Sequence, residues 1–432
     1  MNQLAEILNH TLSDTVAGRS LSEYGRRLYF PQGIVKQAAE ARGLEFDATA
    51  GMAYRNGCPM SLSSLQKDLP TLDTSQSVAY APNPGVADLR DTWDAHIREA
   101  NPSMKGRTLS RPMVVAGLTN GLFQLGGLFV DPGDALIVPE LFWGNYRLVF
   151  ENRYQAQLRH CRFFSDSGGF DVDSFRDTLL TQSGAAKVIV LLNFPNNPSG
   201  YAPTDHEADG IASAISELAD SGSDVVVICD DAYFGLYFEQ SCYQESMFAK
   251  LSALHPRVLA AKVDGVTKED LAWGLRVGFV TFGSAGLDNT QLRALEEKLA
   301  ASIRSSVSNC SNLSQHLALR ALQSRDYARD KQDFFDTLRT RYNTVREILA
   351  KRNAKGVGKA LRELPFNAGY FMTFACEGVS AEELRKALLV DGIGTISFGD
   401  ELLRVTFAAV DTEKLEAVFT GIFAHADALL RQ

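Results

Sequence analysis

Residues 186–201 read AKVIVLLNFPNNPSGY. The run of Val, Ile and Leu over 188–192 is unbroken. Such a run suits a strand buried on both faces. The nine residues that follow, 193–201, carry two prolines, three asparagines and a glycine. That composition ends a strand and turns the chain. It also sets amide side chains at the strand's carboxyl end. Whether one of them faces a ligand depends on the rest of the chain.

Four further runs share the pattern: RPMVVAG (111–117), DALIVPE (134–140), SDVVVICDD (223–231) and RVLAAKVDG (257–265). Helical stretches lie between them. NGLFQLGGLFV follows the first run, and TDHEADGIASAISELADSG precedes 223–231. The alternation predicts an α/β fold with a mostly parallel, doubly wound sheet. The last hundred residues change style. A long charged helix is expected over roughly 326–353, then a strand, GYFMTFA. Next comes SAEELRKALLVDG, with Ser380 and Glu383 spaced as a capping box. Another strand, LLRVTFAAV, precedes a closing helix. This order predicts a smaller α+β domain.

The 432 residues are 45% hydrophobic and 22% charged, with a net charge of -9. No long basic run is present, so nucleic acid and anionic membrane surfaces are not expected partners. No apolar stretch is long enough to span a membrane, and the start, MNQLAEILNHTLSD, lacks an apolar signal core. A cytoplasmic protein is expected. The six cysteines, Cys58, Cys161, Cys229, Cys242, Cys310 and Cys376, are scattered and read as reduced thiols, mostly in the core. Seven dispersed histidines suggest no metal site.

In open α/β sheets, ligands bind beyond the carboxyl ends of the strands. The residues found there are Gly117-Leu118-Thr119-Asn120-Gly121, Phe142 to Asn145, Asn193 to Gly200, Asp230 to Tyr233, and Asp264 to Lys268. Arg276 lies eight positions beyond Lys268. Each has an ordinary structural reading. A loop can be only a loop, Trp143 can be core, Asp230 can cap a helix and Lys268 can be solvated. Together, in this order, they fit pyridoxal 5'-phosphate. That cofactor needs a lysine for a Schiff base and a carboxylate beside its pyridine nitrogen. Its phosphate suits a helix N-terminus and an arginine.

The chain resembles the class I aminotransferases, fold type I pyridoxal-phosphate enzymes of the aspartate aminotransferase superfamily, from about residue 50 onward. NNPSG is similar to a segment whose asparagine bonds the cofactor's phenolic oxygen, which implies that role for Asn197 rather than Asn193 or Asn196. DDAY resembles the family's D-x-A-Y, which implies Asp230 for the pyridine nitrogen and Tyr233 for the phenolic oxygen. TKEDLAWGLRVG resembles the lysine segment, making Lys268 the Schiff-base lysine and catalytic base, and Arg276 a phosphate ligand. By the same resemblance, Trp143 in FWGNY stacks on the ring, Leu118 and Thr119 in GLTNG cradle the phosphate, and Tyr80 reaches the neighbouring subunit's phosphate. Arg404 in LLRVTF would hold the substrate's α-carboxylate. The resemblance implies a homodimer with shared sites. It implies an N-terminal segment, 1–60, joining the small domain, a large cofactor domain, 61–325, and a small domain, 326–432.

Two departures stand out. Gly265 replaces a serine that many members use as a phosphate ligand, so Thr267 or another donor would have to compensate. Arg304 lies in the region of an arginine that reads a distal carboxylate in dicarboxylate-specific members, but a surface arginine is an equal reading. The expected activity is ping-pong amino transfer between an L-amino acid and a 2-keto acid. A lyase acting on sulfur amino acids, or a synthase of the aminocyclopropane-carboxylate type, would share these residues. A regulator that uses the fold as an effector domain is a further alternative, but the roughly fifty residues before the match show no basic recognition helix.

Overall fold

The structure is a computed structural model. It describes residues 72–354 and 360–431 without a break, together with scattered positions between 3 and 64. Seven strands form the main sheet: β1 (Met113–Val115), β2 (Ala135–Pro139), β3 (Gln157–Cys161), β4 (Lys187–Leu192), β5 (Asp224–Asp230), β6 (Val258–Asp264) and β7 (Gly278–Gly283). Their order is β1-β7-β6-β5-β4-β2-β3. The pairs from β6 to β3 are parallel. Only β7 runs against its neighbours, β1 and β6. The carboxyl ends of β1, β2, β4, β5 and β6 therefore share one edge, and β7 starts there.

All five apolar runs are strands of this sheet. Residues alternate between its two faces. Val188, Val190, Val225 and Val227 enter one buried cluster. Ile189, Leu191, Val226 and Ile228 enter the other. Two strands have no counterpart among the expected runs. β3, QLRHC, is an edge strand with exposed polar residues. β7, GFVTFG, is buried throughout but bracketed by glycines, which read as turns.

The principal helices are α1 (Ala87–Ala100), α2 (Leu118–Phe129), α3 (Asp205–Asp220), α4 (Val266–Glu269), α5 (Asn289–Ser306), α6 (Tyr327–Ala354), α7 (Ala381–Val390) and α8 (Leu415–Leu429). α3 starts with a full capping box, Thr204 with Glu207. It buries Ala208, Ile211, Ile215 and Leu218, one stripe at helical spacing. At α7 the expected box forms only on one side. Ser380 accepts from the Glu383 N–H (3.2 Å), while its own hydroxyl donates to Asp400. The carboxylate of Glu383 makes no return bond to the Ser380 N–H among the described residues.

A second, antiparallel sheet has the order β8-β9-β11-β10. Its strands are β8 (Leu361–Glu363), β9 (Met372–Cys376), β10 (Ile396–Phe398) and β11 (Leu402–Val405). With α7 and α8 it encloses a third buried cluster. Phe46–Asp47 pairs with Ile393–Gly394, and Ala48 enters that cluster, so N-terminal residues complete the smaller domain. α6 belongs to both domains. Phe334 and Leu338 pack into the core of the large sheet, Tyr342, Val345 and Leu349 into the smaller core. Cys161, Cys229, Cys242 and Cys310 are buried free thiols and Cys376 is half-buried; the side chain of Cys58 lies outside the described residues. No helix of the described residues is long and apolar enough to cross a membrane.

Candidate active site

The turn after β4 is built by its own asparagines. Asn193 donates to the Asp230 carbonyl (2.8 Å) and accepts from the Asn197 N–H (2.9 Å). Asn196 donates to the Leu141 carbonyl (3.0 Å) and accepts from the N–H (3.0 Å) and hydroxyl (2.7 Å) of Ser199. Gly200 has φ +76°, and a Cβ there would lie 1.9 Å from the Phe371 carbonyl oxygen. Only glycine fits. The turn thus presses on the segment leading into β9. Asn197 does a different task. Its Oδ1 accepts from Arg404 Nη1 (2.9 Å).

Arg404, on β11, is 2% exposed. Its other bond goes to the Thr49 carbonyl (3.2 Å), its Nε has no partner among the described residues, and its guanidinium lies 4.3 Å from the Phe371 ring centre. Among the described residues no carboxylate pairs with it. Burial lowers its pKa to about 10. A buried cation held only by neutral oxygens is set to receive an anion.

Asp230 ends β5 and is 3% exposed. One carboxylate oxygen, Oδ2, accepts from the Tyr146 hydroxyl (2.5 Å). The other, Oδ1, is buried and has no hydrogen-bond partner among the described residues. Burial pushes the carboxyl up, against Tyr146 and Lys268. Tyr233, three residues on, is buried, with its ring against Tyr370 (5.1 Å) and Phe371 (5.3 Å). Lys268 Nζ lies 5.2 Å from the centre of the Tyr233 ring. The lysine is half-buried. Burial lowers its pKa, Asp230 opposes this and Arg276 adds to it. An amine so placed can take up a proton near neutral pH.

The Gly-rich turn opens α2. Gly117 has φ +82°, and a Cβ there would lie 2.3 Å from Arg276 Nη2. The guanidinium therefore rests on the first turn of α2, where Leu118 and Thr119 begin the helix with free N–H groups. Arg276 makes one bond, to the Trp273 carbonyl (3.0 Å), and no ion pair among the described residues. Gly265, φ +155°, precedes α4. A Cβ there would meet Gly278 Cα at 2.6 Å and the Val277 carbonyl oxygen at 2.7 Å. β6 and β7 approach too closely for a serine. The Thr267 hydroxyl, two residues on, is buried and unpartnered among the described residues.

The remaining expected residues lie further out. Trp143 is half-buried, edge-on to Tyr146 at 5.7 Å. Tyr80 is 90% exposed. Arg304, exposed near the end of α5, reaches the Ser308 hydroxyl (3.4 Å). Lys268, Asp230, Tyr233, Asn197 and Arg404 come together, with Leu118, Thr119 and Arg276 grouped at α2. Sequence reasoning missed Tyr146 and Phe371. Tyr146 follows Trp143 by three positions, a helical spacing that was the available signal.

A family model described as "Aminotransferase class I and II" matches residues 54–422. The chain belongs to the class I and II aminotransferases. It is a transaminase dependent on pyridoxal phosphate. The free Oδ1 of Asp230, the half-buried Lys268 amine and the open α2 N-terminus with Arg276 fit that cofactor's ring nitrogen, aldehyde and phosphate. An aspartate aminotransferase of Pyrococcus horikoshii is 23% identical to this aminotransferase over 352 residues, 78% of this chain and 81% of that one. A histidinol-phosphate aminotransferase of Staphylococcus aureus is 25% identical over 297 residues, 64% of this chain and 75% of that one. The crystal structure of an aminotransferase from Anaerococcus prevotii superposes with a TM-score of 0.81 at 22% identity, over 93% of this chain and 98% of that one. A kynurenine aminotransferase of Pyrococcus horikoshii, solved in complex with PMP, gives 0.79 at 15% identity, over 98% and 100%. These two structures speak for the fold. The relatives act on chemically different amines, so the likeness carries no substrate to this aminotransferase.

Proposed function

We propose that this aminotransferase moves an amino group between an L-amino acid and a 2-keto acid by a ping-pong mechanism. The observation that carries this reading is Arg404, a buried cation whose partners are all neutral oxygens. A substrate α-carboxylate supplies the missing anion in a two-pronged ion pair. That anchor holds the substrate's Cα within reach of Lys268.

Bound pyridoxal phosphate supplies an aldehyde for amines and a ring that accepts the electron pair left when Cα loses its proton. Lys268 takes that proton, helped by the burial that lowers its pKa. Asp230 directs Oδ1 to the ring nitrogen. Tyr233 and Asn197 would donate to the phenolic oxygen, and Trp143 would cover the ring. Leu118 and Thr119, through their N–H groups, and Arg276 hold the phosphate, with the unpartnered Thr267 hydroxyl standing in for a serine that cannot fit at Gly265. Tyr80, fully outside its own subunit's core, serves the site of a second copy in a homodimer, and the enzyme works in the cytoplasm.

The test is a set of half-reactions. Each of the twenty amino acids is added without keto acid while the cofactor's absorbance is followed. Conversion of the cofactor to its aminated form, with one equivalent of keto acid released, is expected. Continuous release of pyruvate and ammonia would instead establish a lyase.

A further inference from the structure

Asp230 is held by a residue outside every role assigned so far. Tyr146 is fully buried. Its ring is fixed on three sides, stacked with Phe142 (6.3 Å) and edge-on to Trp143 (5.7 Å) and Phe150 (6.4 Å). From there its hydroxyl donates to Oδ2 of Asp230 at 2.5 Å. The other oxygen, Oδ1, is buried without a hydrogen-bond partner among the described residues. A carboxylate with one oxygen pinned and one free has a direction.

We propose that Tyr146 is a positioning residue for the cofactor, pinning Oδ2 of Asp230 so that Oδ1 faces the pyridine nitrogen. The proposal rests on the assignment of Asp230 to that nitrogen. A hydrogen bond to an ionised acceptor is roughly twice as strong as one to a neutral acceptor. Burial pushes Asp230 toward its neutral form. Tyr146, Lys268 and the Ala232 backbone oppose this, and the neighbouring Asp231 adds to it. Asp231 is itself met by Lys262 and by the Ser246 hydroxyl. Tyr233 is the other ionisable group facing Tyr146. A protonated ring nitrogen beside Oδ1 favours the carboxylate. The Tyr146 bond is then stronger in the loaded protein than in the empty one. Linkage makes Tyr146 contribute to cofactor affinity without touching the cofactor.

Tyr146→Phe keeps the ring contacts and removes the hydroxyl. Apoprotein is titrated with pyridoxal phosphate and binding is read from the cofactor's absorbance. We expect the Kd to rise on the order of tenfold, within the range for hydrogen bonds to charged groups. The pH at which the bound cofactor's absorbance changes should shift from the native value, because the ring nitrogen holds its proton less firmly. In an Asp230→Asn background the same substitution should change the Kd less than about twofold, since the two residues act as a pair. An unchanged Kd and an unchanged absorbance titration in Tyr146→Phe would overturn the proposal. So would an equal loss in the Asp230→Asn background, which would mark Tyr146 as packing alone. If Asp230→Asn itself leaves both readouts unchanged, the assignment of Asp230 fails and takes the proposal with it.

Discussion

Arg404 donates to the side chain of Asn197 across 207 positions of sequence, joining β11 of the smaller domain to the turn after β4. The bond places the unsatisfied cation beside the asparagine assigned to the cofactor. Arg404→Met should raise the KM for the amino acid by at least tenfold, the loss of one charge-assisted contact. Replacing a buried charge with an apolar chain of similar volume is often neutral for stability, so the melting temperature should fall little. Steady-state kinetics and a melting curve on the same sample check this. A KM within threefold of the native value would remove Arg404 from substrate binding.

Lys268→Ala should abolish turnover and remove the absorbance of the covalently held cofactor. Near-normal turnover would end the assignment. Asp230→Ala should lower kcat/KM by at least about a hundredfold, the scale of lost acid–base and electrostatic assistance. Folding should suffer much less, because burial already disfavours this carboxylate. The opposite pattern, a large fall in melting temperature with activity kept, would make Asp230 structural.

Gly265→Ser restores a residue common in the family, and it should be harmful here. The new Cβ would meet backbone at 2.6 Å and 2.7 Å, at a φ that side chains rarely adopt. We expect a loss of about 2 kcal/mol or more in chemical denaturation and no gain in cofactor affinity. Thr267→Val keeps the shape and removes the hydroxyl. It should weaken cofactor binding severalfold, as one lost hydrogen bond does. Unchanged affinity in Thr267→Val would leave the phosphate to α2 and Arg276.

His96 on α1 meets Glu269, the residue after Lys268, at 2.6 Å. Burial pushes His96 down, but the Glu269 carboxylate more than offsets this, and the net shift is upward. That contribution to stability is complete below the ordinary histidine value of 6.5 and is lost as pH rises through the raised one. Burial would raise Glu269, but Lys331 and His96 outweigh it and bring the carboxyl to about 2. Its contribution is present above 4.5 and is lost as pH falls toward about 2. The pair therefore holds best between roughly pH 4.5 and 6.5. His96→Gln should be destabilising at pH 6, and the difference from native should shrink by about pH 9. Denaturation midpoints at both values test this. A constant difference would mean that His96 acts only through its packing on Trp93, 4.8 Å away.

The strands that carry chemistry were legible because burial on both faces leaves continuous runs such as Val188–Leu192. β3 was hidden because an edge strand tolerates Arg159 and His160. β7 was hidden because Gly278 and Gly283 look like turns. The segments at the strand ends that resemble family motifs led to Lys268, Asp230 and Asn197 one by one. The absence of serine at Gly265 could not be explained in one dimension, since its cause is the approach of Gly278 from the next strand. Tyr146 went unread for a related reason. Its partner lies 84 positions away, and a lone tyrosine in a sequence shows no partner.

α6 has a last consequence. Its first half is tied to the segment that carries Lys268. Lys331 reaches the Glu269 carbonyl (2.8 Å) and the Asp270 carboxylate (3.0 Å), and the Tyr327 hydroxyl reaches Asp270 (2.8 Å). Its second half is embedded in the smaller core. One continuous helix thus ties the smaller core to the segment that carries Lys268. The Arg404–Asn197 bond is a second tie, from β11 to the turn whose Asn193 holds the Asp230 carbonyl. A shift of the smaller domain would be felt at both ends of the candidate site.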